Sequence, residues 1–165
     1  MMRLAVGDAV VYTRHGVGRV AGREQKLVLG RQRECVLLDL AGGLRVTLPI
    51  EQARERLRAV VNEADLRRVE QTLHEDAGPA DRVWARRMRE GQAKLASGGP
   101  LDLAEIVRDG MERDRPSASG SSQLSVAERQ MYVQARKLLA HEISVARGVE
   151  PAEADAWIEA QVALP

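Results

Sequence analysis

The sequence predicts a two-domain β + α protein. A β-rich N-terminal domain over residues 1–60, a small β-barrel or curved sheet, precedes an all-α C-terminal domain of five helices over residues 61–165. Short apolar runs separated by glycine turns fill the first third of the chain. From about Glu51 the apolar residues recur at helical spacing instead. A length of 165 residues accommodates two small domains or one ordinary one.

The expected strands are Asp8–Thr13 (DAVVYT), Gly18–Arg23 (GRVAGR), Lys26–Leu29 (KLVL), Glu34–Leu40 (ECVLLDL) and Leu44–Leu48 (LRVTL). Gly7-Asp8, His15-Gly16, Gly30 and Gly42-Gly43 supply the turns. Ala41-Gly42-Gly43 suits a tight hairpin, because glycine takes positive φ without a Cβ clash. Pro49 lacks an N–H for the ladder and is expected to end the last strand.

The first long helix is expected from a cap at Asn62 to about His74, with Leu66, Val69 and Leu73 on one face. Gly78-Pro79 breaks it. A second runs from about Asp81 to Ala96, and a third from Leu101 to Arg113 with Leu103, Ile106, Val107 and Met111 inward. Arg115–Gln123 (RPSASGSSQ) reads as a flexible connection. Ser125 and Glu128 then form a capping box, each side chain bonding the other's backbone amide. The fourth helix carries Met131, Ala135, Leu138, Leu139 and Ile143 inward and stops at Gly148. Pro151 opens a short fifth helix, in which Trp157 is expected in the core beside Ile158 and Val162.

Composition narrows the function. The chain is 44% hydrophobic and 30% charged, which is globular rather than disordered. A net charge of +1 means that any nucleic-acid contact must come from local clustering. Only Lys26, Lys94 and Lys137 are lysines among 25 basic residues; arginine's planar fork suits phosphates and carboxylates, although a GC-rich genome or a hot habitat also produces this bias. Cys35, alone, excludes an intramolecular disulfide, fits a reducing cytoplasm and reads as a buried structural thiol. No signal peptide or membrane span is legible.

Catalytic and metal chemistry are not legible either. His15, His74 and His141 are dispersed, and no HExxH, CxxC, P-loop or GxSxG occurs. Gly16-Val17-Gly18 lacks the third glycine and the following helix of a dinucleotide fingerprint, so it reads as a turn. No enzymatic role, metal or cofactor is expected.

The densest positive charge lies at Arg82, Arg86, Arg87, Arg89 and Lys94. Arg82, Arg86 and Arg89 share a face of the expected helix and could clamp phosphates, or could form an ordinary salt-bridged surface. Trp84 lines up with Met88, Gly91 and Leu95, a spacing that reads as a core stripe. In a first turn it could instead project past the helix end and stack on or wedge a base step.

Val6–Val20 (VGDAVVYTRHGVGRV) resembles the start of the RNA-polymerase-interacting domain of CarD-type transcription regulators, a domain shared with transcription-repair coupling factors. Trp84–Gly98 (WARRMREGQAKLASG) resembles the family's Trp-Arg-rich helix, and Ala104–Arg113 and Leu124–Leu139 resemble the helices that follow. The likeness covers nearly the whole chain, and its helical half is that of CarD rather than of a coupling factor, which would carry a helicase motor.

The resemblance implies a Tudor-like domain docked on the β subunit of a sigma-containing RNA polymerase. It also implies a helical domain on promoter DNA at the upstream edge of the −10 element. It carries the family's wedging tryptophan onto Trp84 and the phosphate-contacting positions onto Arg86 and Arg89, and Arg87 between them is expected on DNA as well. That puts Trp84 on DNA, against its core-like spacing, with the ring's base partly buried on Met88. For docking, Lys26 falls near one basic position of the family. Thr47 stands where some relatives have another, and Arg45, two residues away on the same strand face, can substitute. Relatives often have Asn at Gly91, so this helix is expected to be slightly loosened. A monomer without cofactor or membrane contact, cytoplasmic and associated with the nucleoid through polymerase, completes the expectation. The alternative is a polymerase-bound adaptor whose helical domain binds another protein.

Overall fold

The computed structural model describes residues 2–13, 15–116, 120 and 122–163. The chain divides into two compact units, Met1–Val60 and Val61–Pro165.

The first unit is a five-stranded antiparallel sheet in the order β4-β3-β2-β1-β5. Its strands are β1 (Ala9–Tyr12), β2 (Gly16–Val28), β3 (Arg31–Leu40), β4 (Arg45–Pro49) and β5 (Leu57–Ala59), with a helix α1 (Ile50–Arg56) between the last two. The two strands expected over 18–29 are one. Glu24 and Gln25 keep register with Cys35 and Glu34, and a bulge between Val20 and Gly22 absorbs the irregularity. Gly18 permits close approach to β3, since a Cβ there would stand 2.9 Å from the Asp39 carbonyl oxygen. The hairpin at Ala41–Gly43 forms as expected. Gly42 and Gly43 have φ of 81° and 79°, and the Leu40 amide donates to the Leu44 carbonyl at 2.8 Å.

Pro49 ends β4, but β4 is not the last strand. α1 buries Ile50 and Ala53, and the chain returns as β5 beside β1 with Leu57 opposite Tyr12. Val10, Val20, Val36, Leu38, Leu48, Ile50, Ala53 and Leu57 form the core. Cys35 is buried, as expected.

In the second unit five helices are described: α2 (Glu63–His74), α3 (Trp84–Ser97), α4 (Pro100–Asp114), α5 (Val126–Arg147) and α6 (Pro151–Ala163). Asn62–Asp65 and Ser125–Glu128 both form complete capping boxes. Gly98 and Gly148, with φ of 64° and 66°, close α3 and α5. Leu66, Val69, Leu73, Leu103, Ile106, Val107, Ala135, Leu139 and Ile143 are buried as their spacing requires, whereas Met111, Met131 and Leu138 are only half-buried. α5 packs on α4 and α6, and α4 on α2. Gly110 lets α5 approach α4, since a Cβ there would overlap the Tyr132 ring.

Two further expectations are corrected. α3 starts at Trp84 rather than Asp81, because the Asp81 carboxylate accepts the Val83 amide at 2.8 Å and holds a turn ahead of the helix. Arg82 therefore stands outside the helix. Trp157 is half-buried rather than core, with the Arg147 guanidinium 4.3 Å over its ring. Of the expected flexible connection, residues 117–119 and 121 lie outside the described residues. Among the described residues no helix is long and apolar enough to cross a membrane.

Candidate functional site

Trp84 is the first residue of α3, and its side chain is not in the core: the residue is 49% exposed, next to Val83 at 48%. The core-like spacing misleads because the helix has no turn N-terminal to Trp84 against which the ring could fold. Leu95 and Gly91, further along the same stripe, are buried, and Met88 is half-buried. The indole Nε1–H donates to Ser125 Oγ at 3.2 Å.

The arginines around Trp84 divide into two groups. Arg82, Arg86 and Arg89 are exposed. Arg86 donates to Asp81 at 3.0 Å, and among the described residues Arg82 and Arg89 have no ion pair. Arg87 turns inward instead of outward with the other cations. Its Nε donates to Glu128 Oε1 at 2.9 Å, and its terminal nitrogen donates to the Asp81 carbonyl at 2.6 Å. The Asp81 carboxyl is held below its ordinary value by the Val83 amide and then, against a smaller effect of burial, by Arg86. It stays ionised at neutral pH and fixes the lead-in to the helix.

Glu128 is the feature that sequence reasoning missed. It is 3% exposed and accepts Arg87 Nε, Arg113 at 2.9 Å and the Ser125 amide at 2.8 Å. Burial pushes its carboxyl up; the bonds from Arg113, the Ser125 amide and Arg87 outweigh this and bring it down to about 2. The capping box showed Glu128 as a local cap. Its arginine partners lie 41 and 15 residues away in sequence, where no spacing rule reaches.

The three expected docking residues do not form one cluster. Arg45 and Thr47 are exposed on β4, which is an edge strand, while Val46 and Leu48 on the opposite face pack toward the core. Arg45 grips Asp39, directly opposite on β3, through bonds of 2.6 and 3.1 Å. Lys26 stands elsewhere, opposite Arg33 and paired with Glu24 at 3.0 Å. Arg33 and Asp39 are six residues apart on β3, so Lys26 and Arg45 are separated by about 20 Å along the strand.

Residues 4–61 match the CarD-like/TRCF RID domain, and residues 68–159 match the CarD C-terminal domain. Fold and matches together define a transcription regulator with an RNA-polymerase-interacting domain. The chain belongs to the CarD family. It is also 25% identical over 148 residues to a Bacillus subtilis (strain 168) protein named "Putative transcription factor YdeB", across 87% of this chain and 92% of that one.

Proposed function

We propose that this protein stabilises the promoter open complex. Its N-terminal unit docks on the β subunit of RNA polymerase, and its helical unit engages promoter DNA at the upstream edge of the −10 region. The observation that carries the reading is Trp84: a half-exposed indole at the start of a helix, flanked by the exposed cations Arg82, Arg86 and Arg89. Such a ring can enter an unstacked base step while the guanidiniums hold phosphates. No catalysis is required. A contact made only when the strands are apart lowers the open state relative to the closed one, and about 1.4 kcal/mol shifts that ratio tenfold.

Within this reading Arg86 and Arg89 contact phosphate and Arg87 supports the helix from inside. The Arg86–Asp81 pair is exposed, so exchanging it for phosphate costs little. Arg45 and Thr47 on the β4 edge make the polymerase contact, with Lys26 as a separate, peripheral one.

The exposed Val83 beside Trp84 supports a second reading, an apolar patch for a protein partner. Salt separates the two. DNA engagement should weaken steeply with ionic strength, and Arg89→Ala should lower the salt slope by about one. A flat salt response with full retention of binding in Arg89→Ala would favour the protein partner.

A further inference from the structure

Trp84 and Arg87 stand three residues apart on α3, and Ser125 and Glu128 stand three apart at the start of α5. The pairs meet residue to residue: Trp84 Nε1 donates to Ser125 Oγ at 3.2 Å, and Arg87 Nε donates to Glu128 Oε1 at 2.9 Å. Residues at i and i+3 share a helix face, so both contacts come from one side of α3. A half-exposed tryptophan held by one bond could swing. Here the acceptor is itself fixed, because the Ser125 amide donates to Glu128 Oε2 at 2.8 Å and the Ser125 hydroxyl accepts the Glu128 amide at 3.2 Å. A hydroxyl oxygen has two acceptor lone pairs, enough for the Glu128 amide and the indole together. Arg113 of α4 closes the arrangement on the same carboxylate.

We infer that Ser125, anchored by the buried Glu128, is a positioning residue that sets the orientation of the Trp84 ring. α5 would thereby present the indole in one rotamer before DNA arrives, so that ordering it is not left to the binding step. The inference deepens the DNA-wedge reading of Trp84 and rests on it for its consequence in transcription, but the orientation itself can be measured without DNA.

The test uses the full chain carrying Trp157→Phe, so that Trp84 is the only tryptophan. Ser125→Gly deletes the hydroxyl while leaving a residue tolerated at helix N-caps, and Ser125→Thr keeps the oxygen. The fast component of Trp84 fluorescence anisotropy decay should grow about twofold in Ser125→Gly, on the scale of a lost neutral hydrogen bond, and return in Ser125→Thr. Equal decays in the parent and Ser125→Gly, at equal melting temperature, would overturn the inference.

Open-complex lifetime is the second arm. Ser125→Gly should shorten it about threefold when Trp84 is present and not at all in Trp84→Ala. Equal shortening in both backgrounds would show that Ser125 acts through general stability and would also overturn the inference. A changed anisotropy with a lifetime indifferent to Trp84→Ala would uphold the positioning bond and remove the wedge reading, so the two failures are distinguishable.

Discussion

Leu29 holds a positive φ of 51°, the only non-glycine residue described with one, and is 94% exposed. With Gly30 at φ 77° it forms the two-residue turn between β2 and β3, flanked by the pair Val28 and Arg31. A left-handed leucine costs roughly 1–2 kcal/mol, and asparagine tolerates the conformation better. Leu29→Asn should therefore raise stability by about 1 kcal/mol in a denaturant titration, and no gain would mean that the turn is not strained. Two glycines give a contrasting pair. A Cβ on Gly110 would press on the Tyr132 ring, 2.6 Å from its Cγ, whereas one on Gly91 would meet the mobile end of Met131. Gly110→Ala should cost about 1–3 kcal/mol by overpacking, while Gly91→Ala should stay within about 1 kcal/mol of neutral because Met131 can move. Glycine at position 91 leaves the space that the Met131 side chain occupies. Trp84 shows the limit of periodicity at this scale, since the stripe that correctly buries Leu95 says nothing about a residue at the very start of the helix.

Helix caps were legible because they are local: the Asn62 cap and the Ser125–Glu128 box can be read a few residues at a time, and both form, with Asp65 completing a box at Asn62 that was not expected. β5 was not legible, because a three-residue strand gains its identity only from pairing with β1 across the sequence. The same distance hid the second duty of Glu128. Its folded value of about 2 lies below the unfolded carboxylate value near 4.5. The contribution to stability is thus complete above pH 4.5 and is lost as pH falls toward 2; the shift corresponds to roughly 3 kcal/mol. Glu128→Gln should destabilise the helical unit by about that amount at neutral pH, since Arg87 and Arg113 keep their charges without the shared counter-ion. It should also flatten the fall in stability between pH 5 and 2. An unchanged acid limb in Glu128→Gln would mean that other carboxylates control it.

The two units have separable tasks in this account, and the family resemblance announced both; the change of periodicity near Glu51 instead marks α1, inside the first unit, which ends at Val60. The period of two placed Arg45 and Thr47 together; what the sequence could not give was that Lys26 stands apart from them, because the register of β2 and β4 on β3 sets that distance. Charge reversal by Arg45→Glu should weaken polymerase binding at least tenfold while leaving DNA engagement by the helical unit unchanged, and Lys26→Glu should have the smaller effect. Binding assays with the purified enzyme check this order. The most direct measurement of the central claim is a paired one on Trp84→Ala: melting temperature and open-complex lifetime. The ring is half exposed and gives up one hydrogen bond, so its loss should cost on the order of 1–2 kcal/mol of stability, below the 3–5 kcal/mol of a buried tryptophan. The fold and polymerase binding should therefore persist while the lifetime falls by about tenfold. A lifetime equal to that of the unaltered protein, with the variant folded and bound to polymerase, would contradict the wedge.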